Sequence, residues 1–341
     1  MLDFVVGNFS LPDPLLRGGA KLLIGQRKRE VHQNYSQRDE ELARFAASLR
    51  DMPIAVQEEK ANEQHYELPA EFYLKVLGEH LKYSCCSWDE ASNLDDAEVE
   101  MLEKTIDRAE LCDGQRVLDM GCGWGSLSLY AAQKFPNSQF TAVSNSQAQK
   151  DFIDRRSNEL GRTNGEVFKE NIVYFDRPKG SVDRVVSVEM LEHMKNYQTL
   201  FQKVSKWLKD KGKFFVHIFS HSFAAYHFEV KSETDWMSKH FFSGGMMPAD
   251  KLFYHFQDDV KIEKHWELSG IYYGKTGHAW LENMDANKDE IINIFEQTYG
   301  KENAMKWFRY WRIFFIACEE LWSYDKGNEW IVSHYLFRKT H

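Results

Sequence analysis

From about residue 95 the chain alternates short apolar runs with stretches of helical period. Residues 95–109 carry Val99, Leu102 and Ile106 at helical spacing with Glu103 and Asp107 between them, which predicts an amphipathic helix. The apolar runs RVLDM (116–120), QFTAVS (139–144), 166–168, VDRVVSVEM (182–190) and KFFVHIF (213–219) are short enough for buried strands. Helical stretches at 127–134, 147–160 and 196–208 separate them. Strands alternating with helices at this spacing imply βαβ units. The expected fold is therefore α/β, a doubly wound, mostly parallel, Rossmann-like sheet.

The flanks read differently. Residues 1–80 form polar helical segments, most heavily charged over 26–41, that either cap the core or close over a ligand. Beyond 220 aromatic residues crowd together, including Phe223, Tyr226, Phe228, Trp236, Phe241 and Phe242, and a long helical stretch over 288–322 is rich in rings. The terminal run 330–337 is apolar enough to add edge strands to the sheet. These rings either pack a core or wall a substrate pocket; for the second role Trp236, Phe241 and Trp330 are the candidates.

The most informative string is VLDMGCGWGSLSLYAA (117–132). A strand ends at Asp119, then Gly121, Gly123 and Gly125 follow at alternate positions before a helix. Glycine lets backbone pass close to a ligand, and the helix start offers free amides and a partial positive charge. A dinucleotide site would space its glycines G-x-G-x-x-G. Here the spacing is G-x-G-x-G, and Asp119 would repel a diphosphate while suiting the ammonium of an amino-acid moiety, so S-adenosyl-L-methionine is the expected cofactor. Asn145 and Gln149 after the second strand are candidates for the ribose hydroxyls, with helix capping by Ser144 or Asn145 an equal alternative. Asn171, after the third strand, is the candidate for the adenine amine through its carbonyl oxygen.

Composition trims the options. A net charge of −9 argues against a nucleic-acid partner. The five cysteines form no CxxC pair or metal-ligand spacing, which fits a reducing compartment and gives no metal site. The N-terminus lacks a basic segment followed by an unbroken apolar core, and no stretch reaches the roughly 20 apolar residues of a membrane span, so a cytoplasmic location is expected.

The strings YSCCSW (83–88), VLDMGCGWGS (117–126), AVSNSQAQKDFI (142–153), VEMLEHMKNY (188–197), FFSGGMMP (241–248), LFYHFQDDV (252–260) and NEW (328–330) resemble the plant coclaurine N-methyltransferases, a group related to the cyclopropane fatty-acid synthases. The likeness runs from about Ser48 to the C-terminus. It implies a lid at 1–95, with Tyr83 and Ser84 touching the cofactor, and a methyltransferase domain at 96–341 with substrate-cap helices about 221–325. It also places the chemistry on Glu189, Glu192 and His193. Independently, the fourth strand of such a sheet delivers its following loop to the crevice beside the cofactor. His193 assisted by Glu192 is the expected base, and Glu189 the attractor of an ammonium. The expected partner is a small-molecule amine, with a homodimer as the oligomer entertained. The synthase relatives use a bicarbonate, whose ligands match Cys85, Glu192, His217 and Tyr273, which keeps methyl or methylene transfer to acyl chains as the alternative. A scaffold that kept the fold and lost catalysis is the third reading, opposed by the intact glycine turn and the Glu192-His193 pair.

Overall fold

A computed structural model describes residues 7–56, 68–230 and 235–340; the opening hexapeptide and 57–67 of the polar N-terminal segment lie outside the described residues. The strands are β1 (Arg116–Met120), β2 (Gln139–Ser144), β3 (Gly165–Lys169), β4 (Val182–Val188), β5 (Leu208–His221), β6 (Tyr226–His227), β7 (Met246–Met247), β8 (Val260–Leu268) and β9 (Trp330–Lys339). Seven of them form one sheet in the order β3-β2-β1-β4-β5-β9-β8, parallel from β3 through β5 and antiparallel at β9 and β8. β1 is buried from Val117 to Met120, as a strand covered on both faces must be. The order reverses beside β1, which opens a crevice at the strand ends there.

The helices are α1 (Asp13–His32), α2 (Arg38–Arg50), α3 (Ala70–Val76), α4 (Leu94–Arg108), α5 (Ser126–Lys134), α6 (Gln147–Glu159), α7 (Tyr197–Trp207), α8 (Trp236–His240), α9 (Ile271–Ala286), α10 (Lys288–Tyr299) and α11 (Lys301–Ser323). Side chains fix several starts. Asn93 accepts from the Asp96 amide at 2.9 Å, and Asn196 from the Thr199 amide at 3.0 Å. At α6 the cap is Ser146, bonded to the Gln149 amide, rather than Ser144 or Asn145, which leaves Asn145 free of capping duty.

Three expectations need correction. The terminal apolar run is not an edge: β9 lies inside the sheet and β8 takes the edge. β8 escapes a sequence reading because it is half-exposed and carries Lys261, Glu263, Lys264 and Glu267. The stretch 288–322 is two helices, broken at Gly300, whose φ of 84° suits glycine alone. β5 also starts earlier than the apolar run, at Leu208 opposite Val182, because polar residues 209–212 mask it.

One face of the sheet is sealed by rings. Phe337 on β9 lies 5.3 Å from Phe201 of α7 and 5.6 Å from Phe214 of β5, and is fully buried. Truncation there loses transfer energy and leaves a cavity, so Phe337→Ala is expected to lower unfolding free energy by about 3–5 kcal/mol in urea denaturation.

Candidate active site

The turn between β1 and α5 is bent by three glycines in the left-handed region, Gly121, Gly123 and Gly125. Their tasks differ. A Cβ on Gly121 would lie 2.5 Å from the Met190 side chain, and one on Gly125 2.8 Å from Ile153 of α6. A Cβ on Gly123 would meet nothing and project into open space. The first and third glycines therefore permit close packing, while the middle one leaves room for a ligand. Asp119 is buried and accepts from the Ser128 hydroxyl at 2.6 Å, tying the turn to α5; burial pushes its pKa up to about 6.

The cavity over this turn is lined by Tyr83, Ser84, Asp119, Gly121, Gly123, Asn145, Gln149 and Asn171 among others. Gly125, counted from sequence among the cofactor residues, is not in that lining; it serves the α5–α6 contact. Asn171 is present, but its carbonyl oxygen already accepts the Val173 amide at 2.8 Å. The lining also holds buried polar atoms with no partner, the Gln149 Nε2, the Ser126 hydroxyl and the Trp124 indole nitrogen. Buried donors are ordinarily satisfied, so these fit a ligand rich in acceptors, as a nucleoside bearing an amino acid is. Lys82, itself buried, donates to Ser84 at 2.5 Å and to the Cys85 carbonyl at 2.7 Å, which pins the segment carrying Tyr83 at the cavity.

A second cavity of about 770 Å³ adjoins the first. Its walls are apolar and aromatic, with Tyr83, Phe219, Phe228, Phe242, Phe314 and Trp322 among them, and α1 closes one side with Leu23, Ile24 and Arg27. That volume lies within the usual range for small-molecule sites. α1 is held by Arg17 to Glu319 and Glu320 of α11 at 2.7 Å each, and by His32 to Glu329 at 2.6 Å.

The rings chosen from sequence do not line this cavity. Phe241 is buried against Phe314 at 4.5 Å, and Trp236 against Tyr310 at 5.0 Å. Trp330 lies behind Tyr226, donating its indole N–H to the Tyr226 hydroxyl at 3.0 Å. Aromatic density alone cannot say which ring of a crowded segment turns inward, and Phe242 rather than its neighbour does so.

Three residues line both cavities: Tyr83, Glu189 and His193. Glu189 follows β4 at a φ of 47°, a strained value for a side-chain-bearing residue, and its amide donates to the His217 carbonyl at 2.8 Å. One carboxylate oxygen accepts from the Cys85 amide at 2.9 Å and the His217 ring at 3.1 Å; the other accepts from the Tyr273 hydroxyl at 2.6 Å. Burial acts to raise its pKa, but these donors and the charge of Lys82 win and hold it below the usual carboxylate value. So three of the four positions matched to bicarbonate ligands, Cys85, His217 and Tyr273, are spent on the protein's own carboxylate.

Glu192, the fourth, stands apart. It lines neither cavity, accepts the Phe219 amide at 2.8 Å, and has a second oxygen without a partner. Burial, then the nearby Glu189 charge, push its pKa well above the usual carboxylate value, and it makes no hydrogen bond to His193. The expected Glu192-assisted imidazole is thus not built. His193 is pushed down to about 4 by burial and by the Lys195 charge, and its buried Nδ1 has no partner. At neutral pH it is an unprotonated acceptor.

Sheet order, glycine turn and donor-rich cavity define the class: this is a class I S-adenosylmethionine-dependent methyltransferase. A family model described as mycolic acid cyclopropane synthetase matches residues 55–328. The (S)-coclaurine N-methyltransferase of Thalictrum flavum subsp. glaucum is 39% identical over 335 residues, 96% of this chain and 92% of the relative. The pavine N-methyltransferase of the same organism is 37% identical over 332 residues, 96% and 93% of the two chains. The solved structure of coclaurine N-methyltransferase bound to N-methylheliamine and SAH aligns with a TM-score of 0.93 at 37% identity, covering 96% of each chain. The chain belongs to the coclaurine N-methyltransferase family, within the wider group of the cyclopropane synthetases. Among the described residues no helix is long and apolar enough to cross a membrane.

The two kinds of glycine should separate in experiment. Gly123→Val is expected to abolish S-adenosylmethionine binding in calorimetric titration while the chain still folds. Gly125→Val, clashing with Ile153, is expected to cost about 1–3 kcal/mol of stability.

Proposed function

We propose that the protein N-methylates an apolar, ring-bearing amine of alkaloid type held in the 770 Å³ cavity. The observation that carries this is the shared wall: Glu189 and His193 border both cavities, so an amine in one meets them beside a methyl donor in the other. The unpartnered donors of Gln149, Ser126 and Trp124 support S-adenosylmethionine over the glycine turn, where it would supply an electrophilic methyl group.

The chain's own residues then do three things. The ionised Glu189 attracts a cationic amine and balances positive charge in a dry site. The apolar cavity disfavours the ammonium form and so helps the amine shed its proton. His193 accepts a hydrogen bond from the amine N–H and aims the lone pair. A stronger role for His193 runs into magnitudes. Moving a proton from an ammonium of pKa about 10 to an imidazole at about 4 is uphill by about 8 kcal/mol. Orientation asks far less: the ammonium gives its proton to solvent water as the amine enters the apolar cavity, and only the neutral amine attacks.

Purified protein with labelled cofactor, offered separate panels of ring-bearing amines and of unsaturated phospholipids, tests the reading; label confined to the lipid panel would overturn it. His193→Ala is expected to bind cofactor normally and lose turnover by roughly 10²-fold or more. A deficit constant across pH supports the orienting role, whereas one that shrinks as pH rises would make His193 the base.

A further inference from the structure

A buried chain of hydrogen bonds reaches Glu189 from behind. Arg108, the last residue of α4, places its guanidinium 2.8 Å from His334 Nδ1. His334 Nε2 lies 2.9 Å from His217 Nδ1, and His217 Nε2 3.1 Å from the Glu189 carboxylate. The two histidines are directly paired across β5 and β9, and both are fully buried. The Trp266 ring packs on the guanidinium at 4.9 Å and helps fix it.

A guanidinium only donates. His334 Nδ1 must therefore accept, which leaves its proton on Nε2. His217 Nδ1 must then accept in turn, so the proton of His217 also sits on Nε2, aimed at Glu189. We propose that Arg108 is a positioning residue that fixes the tautomers of His334 and His217, so that Glu189 always meets an N–H and never a lone pair. This rests on the reading of Glu189 as an ionised participant in the site. The chain cannot carry a proton outward, because its far end is a group that does not release one. It orients and does not conduct.

Neutral imidazoles are what this needs. Burial first, against the hydrogen bond to Glu189, brings His217 down to about 4, and burial with the neighbouring charges brings His334 well below the usual imidazole value. The other groups around Glu189 are Lys82 and the Cys85 amide on the segment before α4, Tyr273 on α9, Cys318 on α11, and Glu192 and His193 after β4. None of them bonds either ring of the chain; Glu189, which only accepts, favours the same direction from one end, and Arg108 is the second fixed end, without which the chain is held at one end alone.

Nitrogen-15 NMR of histidine-labelled protein tests this without turnover. Both rings are expected as Nε2–H tautomers at neutral pH; an Nδ1–H His217 in the unaltered protein would overturn the proposal. Arg108→Met is expected to give mixed tautomers, to move the acid limb of kcat/KM up by about one pH unit, and to lower neutral activity about 10–100-fold, with Arg108→Lys restoring all three. Unchanged tautomers and an unchanged pH profile in Arg108→Met would also overturn it. Should the amine panels fail instead, the tautomer spectrum still decides the role of Arg108.

Discussion

Glu189 puts a negative charge in a largely buried place at the junction of two cavities, and the surrounding architecture is arranged around keeping it there. An isolated carboxylate in such a place would take up a proton, since burying an uncompensated ion costs several kcal/mol. Here the compensation comes from three separate stretches of chain. The segment before α4 gives the Cys85 amide and the field of the buried Lys82, β5 gives the His217 ring, and α9 gives the Tyr273 hydroxyl. Backbone strain at φ 47° is the local cost, of order 1–3 kcal/mol, and the amide bond from Glu189 to the His217 carbonyl at 2.8 Å holds the residue in that conformation. Each donor also joins a different part of the fold to the junction of the cavities. The carboxylate therefore works as a structural node as much as a chemical one.

The same economy explains why two acids three residues apart behave oppositely. Glu189 has three direct donors; Glu192 has one amide and an oxygen with none. In a shared, largely buried region a second charge is disfavoured: the donors hold Glu189 below the usual carboxylate value, while burial and the Glu189 charge push Glu192 well above it. Sequence shows two glutamates and a histidine in a row of five residues and invites a joint role. Only the donor count tells which acid is ionised.

Much of the fold was legible because its signals are local. β1, β2 and the glycine turn are set by short apolar runs and by glycines whose spacing has steric meaning, and their bounds at 116–120 and 139–144 coincide with the apolar runs. β8 was not legible, since a half-exposed edge strand carrying four charges has neither an apolar run nor clean alternation. Residues read from the strand ends line the cavities, whereas Trp236, Phe241 and Trp330 do not, because rings in a dense aromatic segment are equivalent until packing distinguishes them. His334 and Arg108 left no signal. They are 226 positions apart and meet only because β9 lies beside β5 and α4 ends against that pair.

Charge balance links this arrangement to the reaction class. With Glu189 held ionised, Glu192 pushed towards its protonated form and His193 unprotonated, the junction offers one well-held anion and one neutral acceptor. One cation can be balanced there at a time, because two like charges a few ångströms apart in a medium of low dielectric repel strongly. In the proposed reaction a cofactor sulfonium would claim that place, so the amine would best be accommodated as a neutral base when it reacts. After transfer the positive charge belongs to the nitrogen, still beside the same carboxylate, and the charge total of the junction has not changed. A site built this way has little to offer a reaction that creates a second charge. It suits one that only moves a charge from one cavity to the next.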